Sequence, residues 1–168
     1  MKIELSKIIS PAIALVDVRS IHNTASIFRT ADGAGFRSVV LLGHTPEPFN
    51  KMGVVRGDFA KVSLGAENIP YAHKTYILPS LKKIKSVGFK VVALEQSETS
   101  VFYKKIKASK KEKIIIVVGS EIEGLNKKIL AICDEIAEIP MRANKESLNV
   151  AVSAGVMMYH IGDQIYKK

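Results

Sequence analysis

Residues 114–118 (IIIVV) run directly into residues 119–125 (GSEIEGL), and this stretch decides how the fold is interpreted. A short run of apolar, mostly β-branched residues is typical of a strand buried on both faces, as in a parallel sheet. The glycines of the following turn allow a ligand to approach the backbone closely. Because parallel α/β sheets bind ligands at the carboxyl ends of their strands, this turn is a candidate binding loop. A purely structural alternative is a strand–turn–helix connection whose carboxylates complement the next helix N-terminus.

Similar apolar runs recur along the chain and alternate with helical patterns. The predicted strands are 11–18, 38–42, 90–95, 114–118 and 136–139. The predicted helices are 24–33, 77–87, 126–132 and 148–166. A glycine- and proline-rich loop is predicted over 43–57. This order predicts a single α/β domain over residues 1–168, with helices flanking a mostly parallel sheet.

Two helices carry more detailed predictions. The first is predicted to be capped by residues 22–24 and to direct Ile27, Phe28 and Ala31 inward. In the last helix, the apolar positions at helical spacing are Val152, Val156, Tyr159, Ile161 and Ile165.

Several protein classes are excluded by composition and by missing motifs. The single cysteine, Cys133, excludes a disulfide scaffold, and the four histidines have no H-x-x-x-H spacing, so no metal is expected. The chain contains no P-loop, no dinucleotide-binding glycine pattern and no G-x-S-x-G motif. No apolar run is long enough to cross a membrane, and no signal peptide is evident. We therefore expect a cytoplasmic protein without membrane association.

The charge balance indicates a polyanionic partner. The chain has 25 Lys and Arg against 16 Asp and Glu, a net charge of +9. Such an excess attracts nucleic acid, although a lysine-rich solvated surface gives the same balance. Residues 104–113 hold six lysines and one glutamate, and a solvated connector is the simplest interpretation of this run.

Two further segments carry polar residues in a pattern that suggests chemistry. In residues 23–35, Asn23 and Arg29 stand six positions apart on a predicted helix, although a cap and a surface charge would look the same. In residues 139–153, IPM is followed by a polar loop and then by SLNVAVS. Here Ser147 or Asn149 could simply cap the last helix.

Taken together, these segments resemble the three signature motifs of the SpoU/TrmH group of SPOUT RNA methyltransferases. The matching patterns are N-x-x-x-x-x-R-x-x-x-x-x-G at 23–35, G-S-E-x-x-G-L at 119–125 and I-P-M…S-L-N-V-A-V-S at 139–153. The KVSLGAE segment at 61–67 also resembles the region between the first two family motifs. The resemblance extends from about residue 13 to the C-terminus, and the third motif is the most specific.

The resemblance implies a fold and an activity. It implies a deep C-terminal trefoil knot, a rare exception among protein chains, with the knotted cofactor-binding half over about residues 86–168. It also implies a homodimer with the active site near the subunit interface. The implied activity is methyl transfer from S-adenosyl-L-methionine to a ribose 2′-hydroxyl of tRNA or rRNA.

Individual roles follow from the same resemblance, residue by residue. The implied catalytic residues are Arg29, Asn23, Glu121, Ser147 and Asn149. The implied cofactor-binding residues are Leu94, Gly119, Glu121, Gly124, Ile139, Met141 and Leu148. Arginine hardly ever loses its proton in proteins, so stabilising an alkoxide or positioning the RNA is the safer role for Arg29, although the sequence does not decide between this role and that of a base.

Recognition of the RNA is the least specified part of this hypothesis. Larger relatives carry additional RNA-binding segments, whereas here we expect no separate RNA-binding domain. The candidate RNA-binding residues are Lys51, Arg56, Lys61, Lys104 and Lys105. Two alternatives remain open: a SPOUT enzyme that methylates a base nitrogen, and a non-catalytic RNA-binding or ribosome-assembly protein on the same fold.

Overall fold

A seven-stranded sheet forms the centre of the protein, whose computed structural model describes residues 1–166. The strands are β1 (Ala12–Val16), β2 (Ser38–Leu42), β3 (Tyr71–Lys74), β4 (Phe89–Leu94), β5 (Val101–Phe102), β6 (Lys113–Val118) and β7 (Glu135–Glu138). Their spatial order is β3-β2-β1-β6-β4-β7-β5, and each pairing of neighbouring strands is parallel. The predicted α/β class with a mostly parallel sheet is confirmed.

Helices cover both faces of this sheet. They are α1 (Ile21–Gly33), α2 (Gly57–Ser63), α3 (Ile77–Ser86), α4 (Lys127–Leu130) and α5 (Val150–Ile165). Short 3₁₀ turns occur at Leu5–Lys7, Ala66–Asn68 and Tyr103–Lys105. Residues of α1, α2 and α5 belong to the hydrophobic core on one face, and residues of α3 and α4 belong to the core on the other. The five residues of β1 are all buried, as expected for a central strand between two helical layers.

Two strands and one helix were not predicted. Strand β3 ends in half-buried His73 and Lys74, so it has no continuous apolar run to mark it. Strand β5 is only two residues long, and α2 follows the glycine-rich loop at once. Each of these elements depends on tertiary pairing or packing more than on its own hydrophobic pattern.

The first helix begins earlier than predicted, so the proposed cap at residues 22–24 is wrong. Ser20 is the N-cap, and its hydroxyl oxygen accepts a hydrogen bond from the backbone N–H of Asn23 at 3.2 Å. Ile27, Phe28 and Ala31 are fully buried, as predicted. Because Ser20 caps the helix, the side chain of Asn23 is available for contacts outside it.

The apolar stripe predicted for the last helix is only partly correct. Ile161 and Ile165 are buried, but Val152 is 53% exposed and Tyr159 is 51% exposed. The helix buries Met157 and Met158 against the sheet instead. An apolar helix that leaves these side chains in solvent has a second face suited to contact with another protein surface.

The C-terminal end of α1 and helix α5 are in close contact at Gly162. A Cβ atom built at Gly162 would lie 2.5 Å from the carbonyl oxygen of Ala34, which is backbone and cannot rotate away. At Gly155 of the same helix, a Cβ atom would meet only the Thr30 methyl group, at 3.3 Å.

We therefore expect Gly162→Ala to lower the free energy of unfolding by about 1–3 kcal/mol through overpacking. Gly155→Ala is the matched control, expected to leave stability unchanged or raise it by up to about 1 kcal/mol, because alanine favours helix. Urea denaturation followed by circular dichroism measures both. Equal stability of the two variants would contradict the close α1–α5 contact.

Two features that would bear on function are absent from residues 1–166. No helix in this part of the chain combines the length and apolar character needed to cross a bilayer. Within the same residues, no three His, Cys, Asp or Glu side chains are grouped as a metal ion would require.

Candidate active site

The loop that follows β6 is a tight turn that requires its two glycines. The backbone N–H of Gly124 donates to the carbonyl oxygen of Ser120 at 3.0 Å. A Cβ atom at Gly119 would lie 2.4 Å from the carbonyl carbon of Gly124. Gly124 itself has φ +59°, and a Cβ atom there would lie 2.5 Å from a carboxylate oxygen of Glu95. Side chains at these two positions would therefore disrupt the loop.

Glu95 and Gln96, at the end of β4, brace the two loops predicted to bind the cofactor. One carboxylate oxygen of Glu95 accepts from the backbone N–H of Leu125 at 2.8 Å, and the other accepts from the N–H of Gln96 at 3.0 Å. The Gln96 amide donates to the carbonyl oxygen of Glu146 at 2.7 Å, in the connection before α5. Neither residue was predicted from the sequence. The only signal was their position at the end of the predicted strand 90–95.

These loops enclose a cavity of about 420 Å³ at the carboxyl ends of β4, β6 and β7. The structure brings to its wall all of the predicted cofactor residues, namely Leu94, Gly119, Glu121, Gly124, Ile139, Met141 and Leu148. Ser147 lines the same cavity. The volume lies in the range typical of small-molecule sites.

The wall of this cavity is apolar and anionic. Its apolar side chains include Leu94, Ile139 and Met141, and its carboxylates are those of Glu95, Glu121, Glu123 and Glu138. Within the described lining there is neither Lys nor Arg. Such a wall suits a ligand with a flat apolar part and a positively charged part.

Asn23 joins the three sequence motifs in one hydrogen-bonded chain. Its side-chain amide donates to a carboxylate oxygen of Glu121, and its oxygen accepts from the Asn149 amide at 3.2 Å. Asn149 also caps α5, because its side-chain oxygen accepts from the backbone N–H groups of Ala151 and Val152. Capping and site formation are therefore compatible roles for the same residue.

Arg29 lies away from the hydrogen-bonded residues Glu121, Asn23 and Asn149. It is exposed on α1, and helix geometry places it about 9 Å along the axis from Asn23. It does not line the cavity, and none of the hydrogen bonds or ion pairs described for residues 1–166 involves it. The structure therefore does not bring Arg29 together with the other predicted catalytic residues.

The predicted RNA-binding residues fall into two separate groups. Lys51 and Arg56 belong to the loop after β2, and Lys61 is on the adjoining helix α2. Lys104 and Lys105 follow β5, at the opposite edge of the sheet from β3. The five residues therefore do not form one continuous patch.

A cavity of small-ligand size, bounded by a glycine turn at the carboxyl ends of parallel strands, is typical of α/β proteins that bind a small molecule there. The chain belongs to the SpoU rRNA methylase family, because the model of this family matches residues 10–159.

Three similar proteins place this assignment in context. A Staphylococcus aureus protein assigned to the TrmH family of tRNA/rRNA methyltransferases is 30% identical over 91% of this chain. The Bacillus subtilis TrmH family protein YacO is 31% identical over 93% of this chain. The chain spans 58% of the length of each of these two relatives. The AdoMet-bound rRNA methyltransferase from Sinorhizobium meliloti superposes with a TM-score of 0.82 at 26% identity, covering 98% of this chain and 61% of that structure.

Proposed function

We propose that the protein is an RNA methyltransferase that transfers the methyl group of S-adenosyl-L-methionine to a ribose 2′-hydroxyl of tRNA or rRNA. The observation that carries this proposal is the hydrogen-bonded chain Glu121–Asn23–Asn149 beside the cavity, because it links all three family motifs. Membership of the SpoU rRNA methylase family supports the reaction class.

The cavity fits the proposed cofactor. S-adenosylmethionine has a flat adenine and carries positive charge on its sulfonium and ammonium groups. The apolar side chains of Leu94, Ile139 and Leu148 suit the adenine, and the carboxylates of the wall suit the cationic part. When bound, the cofactor supplies an already activated methyl group, so no metal is needed for the transfer.

The chain's own residues would position the ribose and stabilise its oxygen. Asn23 orients the Glu121 carboxylate at the cavity, and Asn149 fixes Asn23 in turn. The permanent positive charge of Arg29 would stabilise the negative charge that develops on the 2′-oxygen as its proton leaves. Because Arg29 lies outside its own subunit's cavity, we propose that it completes the site of a partner subunit.

Nucleoside mass spectrometry tests the chemistry directly. Total RNA incubated with the protein and S-adenosylmethionine carrying an isotopically labelled methyl group is expected to yield 2′-O-methylated nucleosides. A methylated base would instead indicate the base-nitrogen alternative. Alkaline hydrolysis is a second test, because 2′-O-methylation blocks cleavage at the modified position. Absence of S-adenosylmethionine binding by calorimetry would favour the non-catalytic RNA-binding alternative.

The homodimer is part of the proposal, and the exposed apolar side chains of α5 support it. We expect light scattering at micromolar protein to give twice the monomer mass. Val152→Glu places a charge in the exposed apolar face and should shift the mass to that of a monomer. The matched control is Tyr76→Glu, since Tyr76 is 76% exposed at the start of α3 on the other face of the sheet. A monomeric wild-type protein, or dissociation by both variants alike, would contradict this interface.

The single domain over residues 1–168, its knotted half over about 86–168 and the cytoplasmic location stay predictions from the sequence and the resemblance. Lys167 and Lys168 lie outside the described residues.

A further inference from the structure

A second cavity, of about 1020 Å³, lies at the carboxyl ends of β2 and β3. We call it the loop pocket. It is formed by the first residues of the chain, by the loop at 43–56 and by β3, and its charged side chains are Lys2, Glu47, Lys51 and Arg56. In the described lining, three cations thus face one carboxylate. The charge is opposite to that of the first cavity, whose wall holds carboxylates.

The carboxylate of the loop pocket is already matched by its neighbours. Glu47 accepts hydrogen bonds from the Lys2 ammonium at 2.7 Å and from the Tyr71 hydroxyl at 3.2 Å, and it contacts Nδ1 of His73 at 3.0 Å. Burial works to raise the pKa of Glu47, but the hydrogen bond from Lys2 and the His73 and Lys2 charges outweigh it and lower the pKa. The Glu47 charge is thus balanced within this cluster. Of the other two cations in the lining, Lys51 has no ion pair among those described, and Arg56 lies 3.4 Å from the exposed carboxylate of Asp58.

The rim of the loop pocket is an ordered turn. The Asn50 side-chain oxygen accepts from the backbone N–H groups of Met52 at 2.9 Å and Val54 at 3.0 Å, which closes the turn around Lys51. In the same lining, the ring of Phe49 stacks on Tyr71 with centroids 6.3 Å apart and an interplanar angle of 9°. Burial and the Glu47 charge raise the pKa of Tyr71 to about 12, so its hydroxyl remains a donor to Glu47. The lining therefore combines the half-buried ring of Phe49, packed on the buried Tyr71, with the cationic side chains of Lys51 and Arg56.

The two cavities are neighbours, because both lie at the carboxyl ends of the strands. Strand β2 is two positions from β6 in the sheet order, with β1 between them. At about 4.8 Å per strand, the ends of β2 and β6 are roughly 10 Å apart. Helix α1, which carries Asn23 and Arg29, starts from the intervening strand β1. A long, extended ligand bound in the loop pocket would therefore pass α1 on its way to the first cavity.

We infer that the loop pocket binds single-stranded RNA next to the nucleotide that is methylated, with a phosphate at Lys51 and Arg56 and a base against the half-buried ring of Phe49. Proteins recognise single-stranded RNA with this combination of cationic groups and aromatic surfaces. The opposite charges of the two cavities match a cationic cofactor and an anionic substrate. The inference rests on the proposed function, because only an RNA substrate requires a second site beside the cofactor cavity.

The test compares three double variants of the full chain with the wild type. Lys51→Gln/Arg56→Gln removes the charges of the loop pocket, and Lys104→Gln/Lys105→Gln removes the other predicted RNA-binding group. Lys82→Gln/Lys83→Gln is the control, since both lysines are exposed on α3, on the other face of the sheet. Fluorescence anisotropy with a short, labelled single-stranded RNA of mixed sequence gives each dissociation constant at several salt concentrations.

We expect the loop-pocket variant to bind this RNA about tenfold more weakly, and the slope of log affinity against log salt to fall by about 0.7, the contribution of one lost phosphate contact on a single strand. The control should change affinity less than about twofold. RNA containing 4-thiouridine should crosslink to peptides from residues 43–56. Equal weakening by all three variants, or weakening by the Lys104/Lys105 variant alone, would overturn the inference.

Calorimetry with S-adenosylmethionine separates this inference from the proposed function. The loop-pocket variant should bind the cofactor as the wild type does, because the two cavities share no lining residue among those described. A wild type that binds RNA at the loop pocket but not the cofactor would contradict the proposed function alone. A wild type that methylates RNA with crosslinks only outside residues 43–56 would contradict the loop pocket alone.

Discussion

Replacing Arg29 with alanine is expected to slow methyl transfer to total RNA by about a hundred- to a thousandfold, while S-adenosylmethionine binding changes little. Removal of one well-placed electrostatic group typically has an effect of this size. Arg29 does not line the cavity of its own subunit, and in the partner's site it is proposed to act on the ribose oxygen, so its loss should not affect cofactor affinity. An interaction made only in the transition state is lost from turnover and not from binding. Transfer of a radiolabelled methyl group and calorimetry measure the two quantities.

Two further variants make this prediction specific. Arg29→Lys should recover little activity, because a lysine ammonium cannot reproduce the planar, two-point geometry of guanidinium. Arg37→Ala is the matched control, since Arg37 is an exposed arginine just before β2, at the amino edge of the sheet. Near-normal methyl transfer by Arg29→Ala would mean that Arg29 is a surface charge without a catalytic role.

Replacing Glu95 with alanine is expected to weaken S-adenosylmethionine binding by about 10- to 100-fold. The substitution removes the acceptor for the backbone N–H groups of Leu125 and Gln96, and hydrogen bonds to a charged group contribute about 1.5–3 kcal/mol each. Without these hydrogen bonds the 119–125 loop is less ordered before the cofactor binds. Ordering the loop then takes up part of the free energy of cofactor binding, which lowers the affinity. Calorimetry measures the affinity, and circular dichroism checks that the variant is folded.

A split between kinetic constants distinguishes this positioning role from a general loss of structure. The KM for S-adenosylmethionine should rise, while kcat at saturating cofactor and the KM for RNA should stay close to the wild-type values. Glu98→Ala is the matched control, because Glu98 is exposed in the same connection after β4. Glu95→Gln, which keeps one acceptor oxygen, should lie between the wild type and the alanine variant. Unchanged cofactor affinity in Glu95→Ala would show that the hydrogen bonds accepted by Glu95 are not needed for cofactor binding.

Much of the fold was predictable from local patterns. Apolar runs such as residues 38–42 and 114–118 match strands β2 and β6 closely, because a strand buried on both faces must be apolar throughout. Elements with mixed exposure were not predictable. Strand β3 and helix α2 have short patterns that carry no clear period, and their structure depends on the neighbours they pack against.

The candidate site shows the same division between local and long-range information. The glycine turn at 119–124 and the polar residues Asn23, Glu121 and Asn149 were recognisable from the sequence, because each belongs to a contiguous motif. The braces Glu95 and Gln96 were not recognisable, since a carboxylate and an amide after a strand are common features of exposed loops. Their function depends on partners at positions 125 and 146, which the sheet order brings beside the end of β4.

The sequence by itself determined the class of fold, the family and the residue types available for chemistry. Only the tertiary structure decided which of them meet: Asn23 reaches Glu121 and Asn149 across 98 and 126 positions of the chain, whereas Arg29, six positions from Asn23, stays apart. The tertiary structure also forms two separate cavities at the carboxyl ends of the strands, one lined by carboxylates and the other mainly by cationic side chains. The physical reason is that local patterns report how each segment is buried, while contacts between distant segments depend on strand order, which no single segment encodes.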